Sequence, residues 1–310
     1  MEDLRNYKVN VTDAMTANVL GYTISGMPPP SAGTLGLSMV GAIFSYFLVY
    51  HSVLYGNSDA ANGDLGLHRL IEALKHMFAI RMNLGDPAFV DTHEYASDML
   101  SPSFAKEIQQ KIFDNTTFPP EWSQLRDHGT SHFCIVDADR NAVSMTTTVN
   151  YPFGGGVLSP STAIVLNNEM GDFSIPTDIS PDHLPPAPSN FIEPIKRPLS
   201  SMTPIIVTKV FINYFILGME PLAAVQSPRV YHRLIPNIVS YENWTVSDGN
   251  HIELSDERKL FLQEQGHELQ LKPGEPSLSS LFKDLETLFR WAGNVVEVQM
   301  KTFSMVYSLL

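Results

Sequence analysis

An α+β fold, with helices layered on an antiparallel sheet, is the class this sequence predicts, and three observations predict it. Residues 67–84 carry apolar side chains at helical spacing. Residues 131–149 form two short β-prone runs about a polar loop. No internal repeat organises the rest. At 310 residues, 44% of them hydrophobic and 17% charged, the chain has the composition of a globular protein with one large domain or two small ones.

The elements follow in order. Leu35 to Tyr50 is an uncharged run. It is shorter than the roughly 20 residues of a membrane span, and it includes Ser38, Ser45 and two tyrosines, so a buried helix is predicted. Leu67, Leu70, Ile71, Leu74, Met77 and Phe78 mark a helix that Gly85-Asp86-Pro87 stops. Residues 101–118 read as a second helix, followed by a turn at Pro119-Pro120. Ser131 to Val136 and Ala142 to Val149 flank the loop Asp137–Asn141 as a hairpin. Residues 172–198 are proline-rich and irregular, residues 202–208 return to strand character, and residues 210–226 suit a helix interrupted by Gly218 and Pro221.

Charge and cysteine content narrow the function. A net charge of −13 argues against a nucleic-acid partner, because no basic stripe exists to neutralise phosphates. It argues equally against an anionic membrane surface. The single cysteine, Cys134, excludes an internal disulfide and a cysteine-built zinc site, and the ten histidines show no metal-binding spacing, so neither metal nor cofactor is expected. Met1-Glu2-Asp3-Leu4-Arg5 does not read as a signal peptide. Three Asn-x-Thr sequons, at Asn10, Asn115 and Asn243, point weakly to a secretory history.

Chemistry concentrates after residue 128. In Gly129-Thr130-Ser131 a polar segment gives way to an alternating one. A threonine hydroxyl needs a base, and a free α-amino group on the same residue can serve. Gly129 lets the backbone bend so that the hydroxyl reaches its carbonyl. An N-to-O acyl shift and ester hydrolysis would then give residues 1–129 and 130–310. Taken alone, so short a motif is more often an ordinary strand start. A hairpin loop centred on Asp139 sets Val136 opposite Ala142 and Thr130 opposite Thr148, roughly 5 Å apart. Asn150 lies on the same face two residues beyond.

Two further motifs suit the ends of an amino acid. In Asn167-Asn168-Glu169-Met170-Gly171-Asp172, Glu169 and Asp172 are spaced to converge across one turn, which suits an ammonium group. In Pro198-Leu199-Ser200-Ser201-Met202, paired hydroxyls in a rigid turn suit a carboxylate. Each motif alone is more often an ordinary turn. Together with Thr130 they describe a γ-glutamyl group, which presents an α-amine, an α-carboxylate and a distant carbonyl. Cys134 with His132 lacks an orienting third group. Gly154-Gly155-Gly156 lacks the Lys-Ser/Thr of a phosphate cradle and reads as a turn beside the site.

These runs closely resemble the small subunit of the γ-glutamyltransferases, or glutathione hydrolases, in wording most like the plant branch. The resemblance rests on Thr130-Ser131-His132-Phe133, Thr148-Val149-Asn150, Leu158-Ser159-Pro160, Asn167-Asn168-Glu169-Met170 and Pro198-Leu199-Ser200-Ser201-Met202. Residues 1–129 resemble the end of the large subunit, including Gly26-Met27-Pro28-Pro29-Pro30-Ser31; residues 130–271 resemble the small subunit; residues 272–310 diverge. The resemblance implies an αββα Ntn-hydrolase sandwich and self-cleavage between Gly129 and Thr130 into large and small subunits from one precursor. It implies Thr130 as nucleophile, Thr148 as its orienting group, Asn150, Glu169 and Asp172 on the α-amino group, and Ser200 and Ser201 on the α-carboxylate. Glutathione or another γ-glutamyl compound would be the donor, and water, an amino acid or a dipeptide the acceptor. The compartment implied is apoplast, plasma membrane or vacuole.

Three departures from the family are expected to matter. The glycine pair that supplies oxyanion donors is replaced by Val207-Thr208-Lys209, the large-subunit arginine for the substrate carboxylate has no counterpart, and residues 272–310 lack the family's ending. Shorter gaps fall near Gly41–Gly63 and at Glu121-Trp122. The alternative reading is therefore a truncated, internally deleted and catalytically impaired member that acts as a binding partner or decoy. A different acylase of the same nucleophile class is disfavoured by the intact head-group residues.

Overall fold

The computed structural model describes residues 5–55, 63–119, 131–137, 141–151, 153–177, 185–202, 212–232, 234, 236–245, 249–273 and 304–307. Its elements run β1 (Asn10–Asp13), β2 (Met15–Val19), β3 (Tyr22–Gly26), α1 (Gly33–Tyr55), α2 (Gly63–Arg81), α3 (His93–Leu100), α4 (Pro102–Gln109), β4 (Ser131–Val136), β5 (Ala142–Thr147), α5 (Pro221–Gln226), β6 (Val230–His232), β7 (Ile238–Thr245), β8 (His251–Glu253), α6 (Asp256–Glu264), β9 (Glu268–Pro273) and β10 (Ser304–Tyr307). The fold is α+β, as its sequence predicts.

The hairpin β2–β3 turns at Leu20-Gly21, both at positive φ, the backbone that matches the twist of two antiparallel strands. Its buried Val19 and Ile24 meet Leu37 of α1. The uncharged run from Leu35 lies inside α1 and is buried there, as expected; Leu35, Met39, Ile43 and Phe47 pack with Leu70, Met77 and Phe78 of α2, Met99 of α3 and Ile108 of α4. No helix among the described residues is long and apolar enough to cross a membrane.

The second face of α2 carries Leu67 and Ile71 into a separate core with Val230, Val239, Leu254 and Leu262. That core belongs to a four-stranded sheet with β7 at its centre. Strands β6 and β8 pair antiparallel to β7, and β9 pairs parallel to it. Packed on both sides, α2 has buried His68, Arg69, Glu72, Lys75, His76 and Arg81 as well as its apolar positions.

Two sequence readings are corrected. The helix expected over 101–118 ends at Gln109. Residues 114–117 are Asp-Asn-Thr-Thr, short polar side chains that compete for the backbone. Glu72 then captures the segment, accepting hydrogen bonds from Thr117 Oγ1 at 2.6 Å and the Phe118 amide at 2.7 Å. The second hairpin strand ends at Thr147, before Val149. The expected interruption after residue 210 is present: a π-helical turn at Ile212–Ile216 stops before Gly218, at φ 63°, and α5 restarts at Pro221. Residues 203–208 of the strand expected over 202–208 lie outside those described, as do Glu121-Trp122 and most of residues 274–310.

Candidate active site

The hairpin β4–β5 has the register its sequence predicts, with Val136 opposite Ala142 and Ser131 opposite Thr147. Thr130 and Gly129 lie outside the described residues, and so do the side chains of His132 and Cys134. Thr146 Oγ1 donates to the sulfur of Met202 at 3.6 Å, so this hairpin approaches the serine turn.

Beyond Thr147 the chain leaves the strand. Thr148 Oγ1 accepts the Asn150 amide at 2.8 Å. Asn150 adopts φ 68°, a left-handed conformation that asparagine tolerates better than most residues. The simple alternation that would set Asn150 beside Thr148 on one strand face therefore does not hold; a turn carries Asn150 inward. Its side chain is buried, its Nδ2 donates to the Asn168 carbonyl at 3.3 Å, and its Oδ1 accepts no hydrogen bond among the described residues. Asn168 Oδ1 accepts the Tyr151 amide at 2.9 Å, and the Asn168 amide donates to the Val149 carbonyl.

Glu169–Asp172 form one 3-10 turn. Residues three apart eclipse in such a turn, so Glu169 and Asp172 stand on one face of it. Asn167 Oδ1 fixes its start by accepting the Glu169 amide at 2.9 Å. A Cβ at Gly171 would lie 2.9 Å from the Tyr151 ring, so a larger residue there would require the ring to shift. Asp172 is buried.

The serine turn is held by the N-terminal segment. Ser200 donates its amide to the Pro30 carbonyl and accepts from the Ala32 amide, both at 2.9 Å. Ser200 Oγ accepts the Met202 amide at 3.1 Å, and Ser31 Oγ donates to the Met202 carbonyl at 2.8 Å. Leu199 anchors the turn in the main core. The end of α2 supports the approach to it. Asp86 accepts the Arg197 amide at 2.9 Å, and Ser189 Oγ donates to the Met82 carbonyl at 2.8 Å.

The structure thus brings Thr148, Asn150, Glu169 and Asp172 together, and ties Asp172 to the Ser200 turn through Asn190. Sequence reasoning missed Asn190. It is fully buried; its Nδ2 donates to the Asp172 carbonyl and its Oδ1 accepts the Leu199 amide, both at 2.8 Å. Only its place in the Pro188-Ser189-Asn190 turn was visible, and nothing local signals bonds to partners 18 and 9 residues away. The glycine triplet is a hydrogen-bonded turn, with Gly154 and Gly156 at positive φ and the Gly155 amide on the Leu166 carbonyl.

A second buried cluster lies away from these turns. His68, Glu72 and His267 offer ligand atoms within 4.8 Å of one another. Their hydrogen bonds leave little for a cation. His68 Nε2 must donate to the Phe113 carbonyl at 2.9 Å, so His68 Nδ1 accepts from His267 Nε2 at 2.8 Å. Lys75 Nζ already sits 3.5 Å from Glu72. Burial, reinforced by His68, Lys75 and His232, lowers His267 to about 3 and keeps it neutral. The cluster welds α2 to the start of β9.

Comparison with known proteins gives a consistent picture. The family model described as Gamma-glutamyltranspeptidase matches residues 1–210. Glutathione hydrolase 3 of Arabidopsis thaliana is 60% identical over 298 residues, covering 87% of this chain and 46% of that protein. "Putative inactive glutathione hydrolase 4" of the same plant is 54% identical over 191 residues, which span 52% of this chain and all of that protein. The chain spans about half the length of glutathione hydrolases 3 and 2 of that plant. The solved structure of LmbA2991HD shares the fold at 17% identity, with a TM-score of 0.57 over 88% of this chain and 51% of that one.

Proposed function

From a chain that belongs to the gamma-glutamyltranspeptidase family, we infer a γ-glutamyl transfer or hydrolysis reaction on glutathione and related compounds. The observation that carries this reading is the meeting of three polar segments, at Asn150, at Glu169–Asp172 and at Ser200–Ser201, through hydrogen bonds that run outside any regular sheet. Asn150, Glu169 and Asp172 would hold the α-amino group, with Asn150 Oδ1 buried and ready to accept. Ser200 and Ser201 would hold the α-carboxylate.

The hairpin pairing ends with Ser131 opposite Thr147; Thr130, the next residue along, would be the nucleophile, with Thr148 as its orienting group. Self-cleavage after Gly129 would free the Thr130 amine. That amine takes the hydroxyl proton as Oγ bonds to the γ-carbonyl carbon. Collapse of the tetrahedral species breaks the amide C–N bond, and the leaving amine departs with the proton. The resulting ester is resolved by water, an amino acid or a dipeptide. Residues 1–129 and 130–310 would be the two pieces of one precursor, arranged as an αββα sandwich, with 130–271 the catalytic region and 272–310 a divergent tail. Action in the apoplast, at the plasma membrane or in the vacuole fits this reading. Isothermal calorimetry with L-glutamate, followed by release of glutamate from glutathione, tests it; a folded sample that does neither contradicts it.

A second reading is a binding partner or decoy without turnover. The observation favouring it is the 54% identity, over 191 residues that span the whole of that relative, to a protein whose name calls it inactive. The replacement of the family's glycine pair by Val207-Thr208-Lys209 supports it too, since one lost oxyanion donor costs about 10²–10³ in rate. Glutamate binding without glutathione turnover distinguishes it.

A further inference from the structure

We propose that Asn190 is a positioning residue that fixes the distance between the acidic turn and the serine turn, and so selects ligands whose amine and carboxylate share one carbon. The proposal rests on the reading above, that these two turns hold the two ends of an amino-acid head group.

Asn190 is fully buried, and each of its four backbone and side-chain polar groups is used. Nδ2 donates to the carbonyl of Asp172, the last residue of the acidic turn, at 2.8 Å. Oδ1 accepts the amide of Leu199, the residue before Ser200, at 2.8 Å. The backbone carbonyl accepts the Ser174 amide at 3.0 Å, and the backbone amide donates to Ala187 at 3.2 Å. One planar amide therefore spans the gap between the turns, with a donor towards one and an acceptor towards the other. The turns have separate outer supports. Asn150 and Tyr151 hold the acidic side, and Pro30 to Ala32 hold the serine side. Asn190 is the rigid strut where they meet.

Geometry makes the strut consequential. An α-amino acid presents ammonium and carboxylate at a fixed, short separation. The Thr146–Met202 contact and the main-chain bond from Ser174 to Asn190 bring the two sides near each other, and the planar amide bonded to both turns at 2.8 Å fixes their spacing. Binding groups must be held within about 0.5 Å for full effect, and supporting hydrogen bonds do this. Removing the strut leaves both clamps chemically intact but loosens their spacing. The loss therefore falls on ligands that need both clamps at one separation.

The test compares wild type and Asn190→Ala by calorimetry with two probes, L-glutamate and 3-aminoglutarate, whose amine is β to both carboxylates, so that no carboxylate shares its carbon. The proposal expects wild type to prefer L-glutamate and the variant to lose at least tenfold of that affinity, while 3-aminoglutarate changes by less than threefold. A merely structural role would lower the melting temperature and leave the ratio of affinities unchanged; that result overturns the proposal. Asn190→Asp keeps the acceptor for Leu199 and removes the donor to Asp172, and gives the same comparison should the alanine variant not fold. If wild type binds neither probe, the reading of the site fails, and amide exchange judges the strut alone. Faster exchange at both 172–174 and 199–202 in the variant supports it, and a change confined to one turn overturns it.

Discussion

Asn150 donates its side-chain amide to the carbonyl of Asn168 at 3.3 Å, joining the end of β5 to the acidic turn. The bond forms only because Asn150 leaves the strand at φ 68°. One residue thus supplies a backbone conformation and, in the proposed function, a ligand group, and substitution can separate the two.

Asn150→Gly keeps the left-handed backbone without penalty, whereas Asn150→Ala adds a cost of about 1–2 kcal/mol for a residue with Cβ there. Both variants should lose glutamate affinity, and only the alanine variant should melt clearly below the glycine one. Equal melting temperatures for the two would contradict the backbone role.

Ile195 stands at φ 64° and is 93% exposed, so a β-branched side chain carries left-handed strain with no burial in return. Ile195→Gly should raise stability in urea by about 1 kcal/mol, the relief exceeding the added freedom of the unfolded chain. A destabilised variant would contradict this.

Glu72 and Lys75 are buried 3.5 Å apart, with Thr117 donating to the one and accepting from the other. Lys75→Met strands a buried carboxylate and should cost about 3–5 kcal/mol in urea unfolding. Adding Glu72→Gln should restore part of that stability. Additive losses would show that the pair is not coupled.

Burial is the largest cause holding His76 near 4 and His232 and His267 near 3, below the ordinary 6.5; neighbouring Lys75 lowers all three further. Between about 6.5 and 4 the unfolded chain binds protons that the folded chain refuses. Stability is therefore full above 6.5 and falls as pH drops, by up to about 1.4 kcal/mol per pH unit for each histidine. His232→Asn keeps an acceptor for the Leu234 amide, as Nδ1 is now, and removes one titration. It should flatten the acid limb of a melting-temperature profile; an unchanged limb would contradict the assignment.

Much of the site was legible because its signals are local. The hairpin register followed from a loop centred on Asp139, and the single turn that holds Glu169 and Asp172 followed from their spacing. What escaped was non-local. Asn190 bonds residues far along the chain, His68 meets His267 across 199 positions, and Glu72 pulls residues 117–118 out of the helix their composition suggested. Asn150 escaped for a different reason: strand alternation assumes that the strand continues, and a single left-handed residue ended it.

A denaturing gel of the purified chain, run beside Thr130→Ala, decides whether Thr130 is a self-freed nucleophile. Two bands from the native chain, divided after Gly129, and one from the variant are predicted. A single uncut band from both, in well-folded samples, would contradict that role and leave the family's ancestry without its chemistry.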